Sequence, residues 1–321
     1  MLSPLQFALL SWYRQSRRNL PWRGQPDPYR ILLSEVLLQQ TRVEQAIPFY
    51  ERFLLAFPTL EALGRASQEE VLKAWQGAGY YSRVRNLQKL AAGLAGSVLP
   101  ASYEALLKLP GLGPYTAAAV ASIAFGEAVA AVDGNVRRVV CRLKAWPRPT
   151  VKEVQQQADQ LLVKQKPGEW NQAMMELGAM VCTARNPSCT VCPVARWCKG
   201  KSEPGKFPTP KARKQKSVEL VALVLVGPGG VHLEPRTGRM LGGLWGVPME
   251  EEPGGLKRLL DRFGLKQAKP CGVVQHAFTH RKLTVQVYRA RWAATEQPQE
   301  RPLSRLDRKV LRCVGIGAEA M

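Results

Sequence analysis

Two carboxylates stand where acid–base chemistry could use them. Glu35 lies inside Ile31-Leu32-Leu33-Ser34-Glu35-Val36-Leu37-Leu38. A carboxyl group among so many aliphatic side chains loses solvation, which raises its pKa toward that of a general acid at neutral pH. On the outer face of an amphipathic helix it would be an ordinary surface glutamate, and local sequence leaves both readings open. Asp133, in Ala131-Val132-Asp133-Gly134-Asn135-Val136-Arg137-Arg138, has the type and position of a helix N-cap. An aspartate held by amides is rigid and ionised, so it can cap a helix and also stabilise a nearby cation. The three histidines, His232, His276 and His280, all fall in the last third. Acid–base chemistry before them must come from carboxylates, Lys, Tyr or Cys.

A second constellation is Cys182, Cys189, Cys192 and Cys198, spaced C-x6-C-x2-C-x5-C. Four soft thiolates in one short loop can enclose a single metal centre. A four-cysteine structural zinc and a four-iron, four-sulfur cluster both fit that chemistry. The uneven loop lacks the paired C-x2-C knuckles of zinc ribbons, which favours iron–sulfur. Cys141, Cys271 and Cys313 are isolated and read as ordinary thiols.

A third is Leu109-Pro110-Gly111-Leu112-Gly113-Pro114-Tyr115-Thr116. Its glycines permit a tight turn with free amides, and Pro114 suits the first position of a helix. A helix N-terminus with unpaired N–H groups is a phosphate site that needs no base contact. A plain interhelical loop is the alternative.

The elements that must position these residues read as mostly helical up to about residue 200. Ser3-Pro4 opens the first helix, and helical periodicity recurs over Ile31–Gln40, Phe49–Phe57, Glu69–Trp75, Arg85–Leu94, Ala117–Phe125, Val136–Leu143, Val151–Leu162 and Trp170–Val181. Residues 199–217 interleave lysines and arginines with Pro204, Pro208 and Pro210, which reads as an extended basic linker. Beyond it the period becomes two: Val218–Val226 is a β-rich run, and Leu283, Val285 and Val287 alternate with polar residues. Leu256, Leu259, Leu260 and Phe263 share one helical face. Residues 218–321 therefore read as a small α+β domain. The formal net charge of +21 predicts a polyanionic partner. No apolar run approaches the roughly 18 residues of a membrane span, and Met1–Trp12 lacks a secretion signal, so a cytoplasmic location is expected.

The G-L-G-P-Y hairpin, the aspartate after it and the cysteine cluster together resemble the helix-hairpin-helix DNA glycosylases of the endonuclease III superfamily. Within it the chain is similar to the adenine glycosylase branch, the MutY family, through Leu20-Pro21-Trp22-Arg23, Ser34-Glu35-Val36-Leu37-Leu38-Gln39-Gln40-Thr41, Gly79-Tyr80-Tyr81-Ser82-Arg83 and Val132–Arg138. The resemblance covers nearly the whole chain. It implies a helical catalytic domain over 1–198, with one 4Fe-4S cluster on the four cysteines, and a target adenine flipped out of duplex DNA. Glu35 would protonate the departing base at N7, and Asp133 would stabilise the oxocarbenium-like sugar, the two-carboxylate logic of glycoside hydrolysis. Tyr115 and Asn135 match residues beside that pair. Trp22, Arg23, Leu38, Gln40 and Thr41 match the adenine-pocket wall, with Gln172 meeting the adenine edge. Gly111, Leu112 and Gly113 would hold phosphate, and Tyr80 and Tyr81 would wedge near the mispair. Endonuclease III-like lyases carry a nucleophilic lysine where this chain has Tyr115, so a monofunctional enzyme is implied.

The last domain resembles the MutT-like (Nudix) domain of adenine glycosylases, through Leu241-Gly242-Gly243-Leu244-Trp245-Gly246-Val247-Pro248. Its helix offers Lys257, Arg258 and Asp261 in place of the glutamates that would hold metal ions, so pyrophosphate hydrolysis is not implied. Phe278-Thr279-His280 aligns with the family's Phe-Ser-His loop, which reads 8-oxoguanine. Threonine keeps the hydroxyl but stiffens the rotamer. The implied partner is duplex DNA holding A:8-oxoguanine or A:G mispairs, bound by a monomer. The competing readings are an endonuclease III-like glycosylase/lyase, a non-catalytic iron–sulfur DNA-binding protein and a nucleotide hydrolase.

Overall fold

The computed structural model describes residues 1–321 apart from 26, 40, 211–214, 238–240, 279, 294–295 and 317–321. Packing divides the chain into two units: Met1–Gly64 with Lys89–Lys211, and Arg65–Gln88 with Ala212–Met321.

The helices run α1 (Pro4–Ser16), α2 (Pro28–Leu38), α3 (Val43–Ala56), α4 (Leu60–Arg65), α5 (Gln68–Ala74), α6 (Ser82–Leu94), α7 (Tyr103–Leu107), α8 (Pro114–Ala124), α9 (Gly134–Lys144), α10 (Val151–Leu161) and α11 (Pro167–Met180). Their starts are written locally. Ser3 caps α1 in a reciprocal box with Gln6, Asp27 caps α2, and Asp133 caps α9. In the first unit α1, α9, α10 and α11 bury Leu9, Tyr13, Val139, Val140, Trp170 and Leu177 in one core. α8 is an alanine run, buried from Thr116 to Ser122. Its small side chains let α2, α7 and α11 all pack against it.

The second unit holds α5 and the start of α6, then a five-stranded sheet: β1 (Lys216–Gly227), β2 (Gly230–Val231), β5 (Met249–Glu251), β6 (Lys269–Ala277) and β7 (Arg281–Arg291). A small separate pair is formed by β3 (Glu234–Pro235) and β4 (Trp245–Gly246). The main order is β2-β1-β7-β6, with β5 also on β1. β1 runs parallel to β7, Val218 opposite Leu283, and β6 runs antiparallel to β7, His276 opposite Leu283. Helix α12 (Gly255–Arg262) covers one sheet face through Leu259. Helix α13 (Arg305–Cys313) covers the other through Leu306, Val310 and Leu311.

The stretch expected to be a solvated linker is partly packed. Gly200 and Thr209 donate backbone hydrogen bonds to Arg142 and Pro147, and Phe207 packs on the first core. Apolar Phe207 and the carbonyls of Pro204 and Phe207, which accept from Arg142 Nε, hold it down. Among the described residues no helix is long and apolar enough to cross a membrane.

Candidate active site

α2 decides the state of Glu35. Tyr29, Ile31, Leu32, Leu33, Val36 and Leu37 are all buried, so the helix has almost no outer face, and Glu35 is 5% exposed. The surface-glutamate reading is thereby excluded. The Tyr115 hydroxyl, from the first turn of α8, donates to Glu35 Oε2 and lies 3.3 Å from Met175 Sδ on α11. Burial pushes the Glu35 pKa up to about 7; the Tyr115 hydrogen bond pulls against that, and the nearby Asp133 charge adds to it. The Tyr115 phenol is raised well above its ordinary value, first by burial and then by the two carboxylates. Buried Glu35 and half-buried Tyr115 are thus in direct contact, and the charge of half-buried Asp133 acts on both.

Asp133 is better supported. Its Oδ1 accepts from the Val136 amide at 2.7 Å and its Oδ2 from Asn135 Nδ2 at 2.7 Å. Capping alone would lower its pKa. The structure corrects that expectation: burial outweighs the hydrogen bonds and the nearby Arg138, and the net direction is upward. Among the described residues Glu35 accepts from Tyr115, whereas Asp133 accepts from both Val136 and Asn135, so with the two charges interacting the proton belongs on Glu35 and the charge on Asp133.

Asn135 is itself held. Arg138 Nη2 donates to its Oδ1 at 2.8 Å and to the Gly178 carbonyl at 2.6 Å, while Arg138 Nε donates to the Cys182 carbonyl at 2.7 Å. Gly178 lets α11 approach: a Cβ there would lie 2.5 Å from Asn135 Cβ. Asn171, fully buried, accepts from the Ala131 amide at 3.1 Å and donates to the Val129 carbonyl at 2.9 Å, fixing the segment that leads into Asp133. Motif reading missed Arg138, Met175, Gly178 and Asn171 as supports, because their partners are distant in sequence.

The expected pocket residues fall into separate settings. Trp22 is buried and meets Tyr50 edge-on at 5.2 Å. Arg23 is engaged by Glu176 at 2.7 Å and by the Arg18 carbonyl at 2.6 Å. Arg18 and Arg23 together hold the Glu176 carboxyl down at about 2 against the effect of burial. Gln172 accepts from the Tyr13 hydroxyl at 3.3 Å and donates to the Gly168 carbonyl at 3.2 Å. Leu38 and Thr41 are half-buried after Glu35, and Gln40 lies outside the described residues. Gln39 Nε2 donates to Thr116 Oγ1 at 2.9 Å, beside Tyr115.

In the hairpin, Gly111 has φ +79°, Leu112 is buried, Gly113 is exposed, and no side chain caps the N-terminus of α8. That is the form of an amide anion site. In the second unit Tyr80 is 44% exposed and Tyr81 only 4%. Of the two expected wedges, only Tyr80 can offer its ring. Phe278 and His280 form the β6–β7 turn, closed by the Phe278 amide donating to the Arg281 carbonyl at 2.8 Å. Thr279 lies outside the described residues.

The four cysteines line one cavity with Val139, Arg142 and Leu177. Burial, reinforced by the other three thiols, pushes the Cys192 thiol up to about 11, so its ionised form needs a compensating cation. Among the described residues no three His, Cys, Asp or Glu groups converge tightly enough for a single ion. Thiols ringing a cavity fit a polynuclear centre. Arg142, buried, ties the loop through the Thr183 carbonyl at 2.7 Å and lies 3.3 Å from Cys182 Sγ.

Residues 33–164 match the HhH-GPD superfamily base excision DNA repair protein family, residues 182–198 the iron–sulfur binding domain of endonuclease III, and residues 220–313 the NUDIX domain. The chain is 35% identical to the adenine DNA glycosylase of Homo sapiens, over 95% of this chain and 73% of the relative. It is 35% identical to that of Rattus norvegicus, over 95% of this chain and 76% of the relative. Among solved structures, a thermostable thymine-DNA glycosylase superposes with TM-score 0.58 at 30% identity, over 62% of this chain and 95% of that one. A non-covalent endonuclease III–DNA complex superposes with TM-score 0.54 at 27% identity, over 63% of this chain and 98% of that one.

Proposed function

The chain belongs to the adenine DNA glycosylase family, enzymes of base excision repair, and on that premise we propose that it excises adenine opposite 8-oxoguanine or guanine by cutting only the N-glycosidic bond. The observation that supports this is buried Glu35, hydrogen-bonded by Tyr115 and within reach of the Asp133 charge. With a pKa near 7, Glu35 is protonated in a large fraction of molecules at neutral pH and gives its proton to N7 of the extruded adenine. The C1′–N9 bond then breaks, and its electrons leave with the neutral base. Asp133, held by Val136 and Asn135, faces the cationic sugar. The Glu35 carboxylate accepts a proton from the water that attacks C1′. Tyr115 offers a phenol and no amine, so no Schiff base forms at this position.

The roles in recognition follow the same reading. Trp22, Leu38, Gln40, Thr41 and Gln172 shape the base pocket, with Arg23 locked behind it by Glu176. Gly111–Gly113 hold phosphate, Tyr80 wedges at the mispair, and Phe278, Thr279 and His280 read 8-oxoguanine. Cys182, Cys189, Cys192 and Cys198 would hold one 4Fe-4S cluster, whose binding would stabilise the fold of the loop. Catalysis falls to residues 1–198 and lesion recognition to 218–321, in a monomer working in the cytoplasm.

The test is base release from a duplex with one adenine opposite 8-oxoguanine, read with and without alkali. Strand breaks only after alkali are expected. Breaks without it overturn the monofunctional assignment, and no release of adenine overturns the activity.

A further inference from the structure

Helix α13 carries a surface that the roles above leave unused. Its inner face is buried, and its only acid, Asp307, is fully buried and paired with Arg236 at 2.6 Å. Its outer face is left with Arg305, Lys309 and Arg312, all exposed and all cationic. A basic outer face is usually just a solvated one. Position argues for more here. α13 packs along β6, and Lys309 Nζ donates to the Gln275 carbonyl at 3.0 Å. The next residue, His276, meets Phe278 edge-on with ring centres 4.7 Å apart, and both Arg305 and Lys309 act electrostatically on its ring. Arg305 acts also on the Tyr81 hydroxyl, next in sequence to Tyr80. The charge of Arg305 thus reaches both the strand that leads into the Phe278–His280 turn and, together with Arg308, the segment that exposes Tyr80, all within one unit. Both neighbours carry aromatic rings suited to stacking, and Arg83 already lies over the Tyr80 ring at 5.0 Å. Aromatic contacts orient a base but do not hold its backbone, and phosphate contacts supply that registration.

We propose that the outer face of α13, through Arg305 and Lys309, grips phosphates of the DNA strand whose base the Phe278–His280 turn reads. This rests on the reading of that turn given above. Each neutralised phosphate releases counterions, so each contact adds about 0.9 to the slope of log affinity against log salt.

The experiment uses the full chain carrying Glu35→Gln, to prevent turnover, and a duplex with adenine opposite 8-oxoguanine. Binding is titrated from about 50 to about 200 mM salt. Arg305→Gln/Lys309→Gln is expected to flatten the slope by about 2, so that the loss of affinity across this range shrinks about tenfold. Arg305→Lys keeps the charge and is expected to keep the slope. The comparison pair, Lys257→Gln/Lys266→Gln, removes two charges on or just after α12, which covers the other sheet face, and is expected to leave the slope unchanged. An unchanged slope in the α13 pair, or an equal change in both pairs, overturns the proposal. Phe278→Ala, measured on adenine opposite 8-oxoguanine and opposite guanine, separates the two ideas. Lost discrimination with an unchanged α13 slope sinks the phosphate strip alone, whereas undiminished discrimination sinks the reading of the turn and the proposal resting on it.

Discussion

Replacing the proposed general acid should make the protein more stable while stopping it from working. Glu35 has an ordinary pKa of 4.5 when unfolded and about 7 in the fold, chiefly through burial. A carboxyl whose pKa rises on folding binds its proton more tightly in the native state. Its favourable contribution is therefore whole below about pH 4.5 and is lost as pH climbs through about 7. That gap, at about 1.4 kcal/mol per pH unit, amounts to about 3 kcal/mol of destabilisation on the alkaline side. Glu35→Gln keeps the shape and the acceptor for Tyr115 but never ionises. It should raise the melting temperature of the first unit by about 5–10 °C near pH 8, and the advantage should vanish near pH 4.5. Single-turnover adenine release should fall at least about a hundredfold, because the base leaves unprotonated. Calorimetry across pH, beside the cleavage assay, reads both effects. A variant less stable than the parent near pH 8, or one whose advantage does not depend on pH, would refute the claim that Glu35 is held at a buried, strained pKa.

Tyr115→Phe removes the donor that favours ionised Glu35, so the alkaline limb of the pH–rate profile should move up by about 1–2 pH units; a limb that stays put would detach Tyr115 from Glu35. Asp133→Asn should lose base release with the helix intact, since asparagine caps as well as aspartate, whereas Asp133→Ala should also cost about 1 kcal/mol of stability in denaturant melts. Gly178→Ala forces a Cβ onto Asn135 and should destabilise the α9–α11 contact by about 1–3 kcal/mol while slowing adenine release more than it weakens DNA binding. Cys192→Ser should lower the iron content of purified protein and open the 182–198 loop to protease; full iron content would remove Cys192 from the ligand set.

Local features are legible from residue order alone. Caps such as Ser3 and Asp133, the glycine turn at Gly111 and the alternation of Leu283, Val285 and Val287 depend on a few neighbouring residues, so order along the chain suffices to place them. The spacing of the four cysteines likewise restricts their chemistry before any fold is known. Features that depend on distant partners emerge only when the chain is packed. Local sequence left Glu35 either on the surface or in the core. Packing of α2 against α3 and α8 made it buried, and Tyr115, eighty positions away, supplied its hydrogen bond. The adjacent tyrosines 80 and 81 look alike in sequence, yet one is exposed and the other buried. Arg23 reads as a free charge until Glu176 arrives from another helix. Helices α4 and α7, of 6 and 5 residues, carry too few turns for periodicity to reveal them and are held by tertiary packing. A pKa, an ion pair or an exposed ring is a property of solvation, and solvation is set only when remote segments displace the water.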